Sequence, residues 1–104
     1  MAIHYAREQA SQIVHRLGAS ALSLRDRLVG AYYFAFLPAL DDSQQDYLPE
    51  ELNQAMRLLA TRMTAQRAFG AEGTLMATLS NMTDHELEEC AEDMIDIALR
   101  ILRS

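Results

Sequence analysis

Val29-Gly-Ala-Tyr-Tyr-Phe-Ala-Phe-Leu37 is a run of nine residues without a charge. At about 100° per residue, Leu28, Ala31, Tyr32 and Ala35 cover one side of a helix, while Val29, Tyr33, Phe34, Phe36 and Leu37 cover the rest. A helix that is apolar all round is buried all round. The segment is therefore expected to be either wrapped by the other helices of the chain or a seam against another subunit. It opens at Ser23, with Asp26 three residues on, which is a capping-box spacing with Asp in place of Glu or Gln.

Upstream, Ala6, Ala10, Ile13, Val14 and Leu17 recur at helical spacing, and Gly18 is a natural C-terminal stop. Two helices joined between Gly18 and Ser23 is the preferred arrangement. A single helix over 3–37 competes with it, because Ala10, Val14, Leu17, Ala21, Leu24, Leu28, Ala31 and Ala35 alternate four and three apart like a coiled-coil seam. Pro38 is expected to end the helix, since the residue before a proline avoids helical geometry. The stretch that follows, ALDDSQQDY, is a polar, acidic connector.

Leu48-Pro49-Glu50-Glu51 marks the next helix start, with proline in the first turn and carboxylates facing the positive end of the helix dipole. Leu52, Met56, Leu59 and Met63 form its apolar stripe, which ends near Gly70 and Gly73. A short helix is expected from about Thr74 to Asn81. Thr83 with Glu86 then forms a capping box that opens a last helix reaching about Arg103. No repeat and no strand alternation occur. The fold class is all-α: a compact helical bundle of four to five helices in one domain over 1–104, with 1–22 as an N-terminal helical extension and 23–104 as the core.

Composition narrows the function. Half of the 104 residues are hydrophobic, which suits a modest core. The net charge of −6 argues against direct nucleic-acid binding and against an anionic membrane surface. The longest apolar run, 28–40, is too short to span a bilayer. The lone cysteine, Cys90, permits neither an internal disulfide nor an all-cysteine zinc site. A cytoplasmic location is the expectation. All nine cationic residues are Arg; Arg57, Arg62 and Arg67 lie five apart and form no common face, so they read as solubility and ion-pair residues.

The last helix carries the sharpest pattern. Asp84, Glu86, Glu88, Glu89, Glu92, Asp93 and Asp96 fall within an arc of about 200°, and Leu87, Cys90, Ala91, Met94, Ala98 and Ile101 gather opposite, with Leu102 at the border of the two faces. This is a core-packed helix with a solvated acidic back, or else a docking face for a basic partner, or a nucleic-acid mimic. Asp41, Asp42, Asp46, Glu50 and Glu51 could extend such a face.

Catalytic chemistry is scarce. His85 and Glu89 share a helical face with Glu88 and Glu92, but the ferritin-like pattern needs Glu-x-x-His and inward acids from other helices. No metal, cofactor or catalytic residue is assigned. Cys90 lies on an apolar face, far along the chain from His15, where a thiol is unreactive. Met56, Met63, Met76, Met82 and Met94 suit core gaps better than an adaptable groove.

SLRDRLVGAYYF, YLPEEL with LLATRMT, and EGTLMATLSNMTDHELEECAEDMIDI together resemble a group of small, uncharacterised, all-helical bacterial proteins over residues 23–97. The resemblance implies a bacterial source and an accessory role, and no activity. The expectation is a non-enzymatic protein–protein interaction module, a small regulator or accessory subunit with a protein partner or a second copy of itself. Tyr33, Phe34, Phe36 and Leu37 would make the contact, and Glu88, Glu89 and Glu92 would add electrostatic selectivity. The alternative is an acidic inhibitor, antitoxin or phage counter-defence protein that mimics nucleic acid.

Overall fold

The computed structural model describes residues 2–18, 23–43, 48–66 and 73–103. Among them are five helices. Helix α1 is Ala2–Gly18. Helix α2 runs unbroken over 24–43, as Leu24–Ala31, a π-helical turn Tyr32–Phe36, and Leu37–Ser43. Helices α3 (Glu50–Met63), α4 (Thr74–Ser80) and α5 (Asp84–Leu102) follow. No strand is present among the described residues, and the chain is an all-α bundle with a radius of gyration of 13.2 Å.

The break between α1 and α2 settles the first ambiguity. Ser23 is extended (φ −62°, ψ 159°), and its hydroxyl accepts the Asp26 N–H at 3.2 Å. Two helices form instead of one seam, because Ser23 caps a new start. Two arginines tie the first turn of α2 to neighbouring helix ends. Arg27 Nη1 donates to the Leu17 carbonyl at 2.6 Å, and Arg25 Nε donates to the Leu79 carbonyl at 3.3 Å. Each places a cation on a carbonyl near the C-terminus of α1 or α4, where unpaired carbonyls gather negative charge. These two arginines are structural.

Pro38 does not end α2, contrary to the sequence expectation. Leu37, just before it, is helical (φ −62°, ψ −45°), and its N–H reaches back five residues to the Tyr32 carbonyl. In an ordinary α-helix the proline ring would strike the carbonyl of residue 34. The widened turn relieves that conflict, so the helix continues to Ser43. The acidic connector is correspondingly shorter: residues 41–43 belong to the helix, while 44–47 lie outside the described residues.

The other element boundaries follow their signals. Pro49 stands one residue ahead of α3 as its cap, and Thr83 with Glu86 makes both reciprocal bonds of the capping box, at 3.1 and 3.0 Å. Gly70 and Arg67 lie outside the described residues. Thr78 ties the end of α3 to α4: its hydroxyl donates to the Thr74 carbonyl and accepts the Gln66 N–H.

One core unites all five helices. Ala6, Ala10, Ile13 and Leu17 of α1 sit in the same cluster as Leu28, Phe36, Met56, Met63, Leu79, Met94 and Ile101. The N-terminal helix is thus part of the core, packed chiefly along α5. Ala6 and Ala10 on one helix, and Ala91 and Ala98 on the other, are small buried residues that let two axes come close. Met56, Met63 and Met94 are fully enclosed, and Met82 packs against the cluster from its edge.

Candidate functional site

The nine-residue apolar run is buried on one side only. Phe36 is fully enclosed, Tyr32 and Ala35 are buried, and Leu37 is half-buried against the core. Phe34 is 67% exposed and Tyr33 is 44% exposed. The sequence expectation that Phe36 faces a partner is therefore corrected: it is a core residue. A turn closed five residues apart advances less than 100° per residue, which rotates Phe36 toward the side of Leu28 and Ala31. There its ring lies tilted against that of Tyr32, the centroids 5.6 Å apart.

Neighbours shape the exposed pair. The Arg16 guanidinium carbon lies 5.0 Å from the Phe34 ring centroid, a cation–π arrangement across α1 and α2. Tyr33 meets Tyr32 edge-on at 5.7 Å. Its hydroxyl lies so close to Gly73 that a Cβ added there would sit 3.2 Å away. Both rings are thus held from one side and open on the other.

The acidic back of α5 is uneven. Glu88 and Glu92 are exposed, whereas Glu89 accepts Arg62 Nη2 from α3 at 2.9 Å. That bond is the leading reason the Arg62 guanidinium is held even above its ordinary range. Asp93 lies 3.8 Å from the same guanidinium, and Asp96 is 3.9 Å from Arg100 one turn along. Glu50 pairs with Arg57 at 2.8 Å and Glu51 is exposed. The side chains of Asp41 and Asp42, and all of Asp46, lie outside the described residues.

A groove that sequence reasoning missed runs between α3 and α5. It holds about 280 Å³, its apolar lining is Ala55, Leu58, Leu59 and Ile97, and Arg62, Asp93, Asp96 and Arg100 edge it. Leu58 is 64% exposed. Its signal was present: Leu58 stands about 120° off the Leu52–Met56–Leu59–Met63 stripe, an apolar residue on the polar side of an amphipathic helix.

The remaining candidates take structural places. Cys90 is buried, its sulfur 3.9 Å from Met82 Sδ, and burial pushes its thiol above the ordinary range. His85 Nε2 lies 3.8 Å from Glu89 Oε2 on an exposed face, and among the described residues no three His, Cys, Asp or Glu side chains gather to hold a metal ion. No described helix is long and apolar enough to cross a membrane. No family model, curated protein or solved structure matches this chain.

Proposed function

We propose that the chain is a non-enzymatic protein-interaction module, a small bacterial regulator or accessory subunit that works in the cytoplasm and docks a protein partner on Tyr33 and Phe34. The observation that carries this reading is Phe34: a phenylalanine left two-thirds exposed by a π-turn, in a helix that encloses Phe36 two residues later. π-turns are rare and are often found at functional positions. Aromatic side chains held on one side are the usual anchors of interface centres. Arg16, stacked on Phe34, adds a cation to the rim and favours a partner with an acid nearby.

The test compares two baits from nuclease-treated lysate of the native host, the unaltered chain and Phe34→Glu. A stoichiometric protein captured by the first and lost by the second, with the helical spectrum unchanged, is the expected result. Capture that ignores Phe34→Glu would sink the assignment. The second reading, an acidic inhibitor or antitoxin that mimics nucleic acid, draws on the exposed Glu88 and Glu92. It requires a captured nuclease or nucleic-acid binder that elutes at moderate salt and competes with DNA or RNA.

A further inference from the structure

The core faces of α1 and α2 keep step across the break between them. Leu17, the last core residue of α1, is buried, and Leu24, seven residues on, packs against the same cluster. Seven residues of α-helix make two turns less about 20°. Were residues 18–24 helical, Ala6, Ala10, Ile13 and Leu17 would line up with Leu24, Leu28, Ala31 and Ala35 along one face. Two helices joined by an irregular connector have no need of a common phase. The Ser23 cap on the Asp26 N–H and the Arg27 bond to the Leu17 carbonyl hold the closed arrangement. Little else in the chain enforces the break. Gly18 lies inside α1 with a backbone that is not left-handed, so it is not the glycine stop that ends many helices. Ala19-Ser20-Ala21-Leu22 holds neither glycine nor proline. Val14, a member of the same row close to the break, is left 37% exposed.

We propose that the chain forms a domain-swapped dimer, in which residues 2–43 of each copy run as one helix and α1 packs on the α5 of the other. Exchange of an identical element needs no new surface, because the contacts that α1 makes with α2 and α5 inside one copy are remade between two. The dimer adds helical hydrogen bonds across each hinge. It also brings two long helices side by side there, so that Val14 and Leu24 gain a facing seam of the same four-and-three spacing. A second copy is the partner this arrangement selects, since only another α1 carries the buried row Ala6, Ala10, Ile13 and Leu17. The exchange rests neither on the α3–α5 groove nor on the docking role given to Phe34. It bears on that role all the same: Arg16, which lies over Phe34 within one copy, comes from the other copy in the dimer.

The experiment refolds the full chain at increasing concentration and separates monomer from dimer by size-exclusion chromatography with light scattering. Circular dichroism checks the helicity of each fraction. The share of dimer is expected to rise with the refolding concentration. In a dimer refolded from labelled and unlabelled copies, isotope-filtered nuclear Overhauser contacts between α1 and α5 are expected to run from one copy to the other. Ser23→Ala removes the cap from the closed form and puts a better helix former in the continuous one. It is expected to tighten the dimer by roughly thirtyfold, about fivefold at each of two hinges. Ala21→Gly suits any connector conformation but weakens a continuous helix, and is expected to loosen the dimer by a similar factor. No dimer from either the unaltered chain or Ser23→Ala, a dimer whose α1–α5 contacts stay within each copy, or a dimerisation constant indifferent to both variants would each overturn the proposal.

Discussion

Phe34 and Phe36 are the same residue two positions apart, and the chain gives them opposite tasks. Phe36 touches the core on every side, so truncation to Ala leaves a cavity and is expected to cost about 3–5 kcal/mol. For a chain of this size that is a large part of the stability, and chemical denaturation of Phe36→Ala should show a markedly earlier midpoint or no folded baseline. Phe34→Ser removes an exposed ring and its contact with Arg16, and should change stability by no more than about 0.5 kcal/mol in the same measurement. Equal losses at the two positions would contradict the burial described above. Arg25 and Arg27 make a related point. They bond to helix-end carbonyls of other elements, which residue spacing along their own helix could not reveal.

At the scale of the element, α2 is held in shape by a compromise between Pro38 and the turn before it. A proline inside a regular α-helix costs about 3 kcal/mol or more, from the missing N–H and the clash with the carbonyl four residues back. Here the π-turn has already moved that carbonyl, so Pro38→Ala should gain less than about 1 kcal/mol. Thermal unfolding measures it, and a gain near the full proline penalty would mean that the turn relieves nothing. Helix α5 depends instead on its first residues. Thr83→Ala removes one side of the capping box and should cost about 1 kcal/mol. Glu86 gives the box a pH dependence. Hydrogen bonds from Thr83 hold its carboxyl below the ordinary range, so the stability it contributes is present above its unfolded-state value and is lost as pH falls through the depressed folded one. Denaturation midpoints followed from neutral to acid should therefore fall less steeply in Glu86→Ala than in the unaltered chain.

Across the described residues, five helices surround one core to which every helix contributes, and the large apolar side chains most open to solvent are Phe34 on α2 and Leu58 at the α3–α5 groove. Most of the core was legible from spacing. The stripe Leu52, Met56, Leu59 and Met63, the buried face of α5, and the inner row of α1 are set by a period of 3.6 residues, which any amphipathic helix must obey. The caps at Ser23 and Thr83 were legible for the same reason: they are bonds between residues three apart. The groove was not, since it exists only where two helices lie side by side. Nor was the pairing of Glu89, which helical spacing places on the acidic docking face and which Arg62, 27 residues earlier in the chain, engages.

The sequence by itself determined the all-helical architecture, the starts of the helices and most of the residues that line the core, because these rest on contacts within a turn or two of the chain. Tertiary structure alone decided that α2 passes through Pro38, that Phe36 turns inward while Phe34 turns out, and that Leu58 borders a cleft. Each of these depends on how far a backbone turn has rotated or on what another helix leaves uncovered. Those quantities are fixed by packing between elements distant in sequence, and a periodicity of 100° per residue carries no record of them.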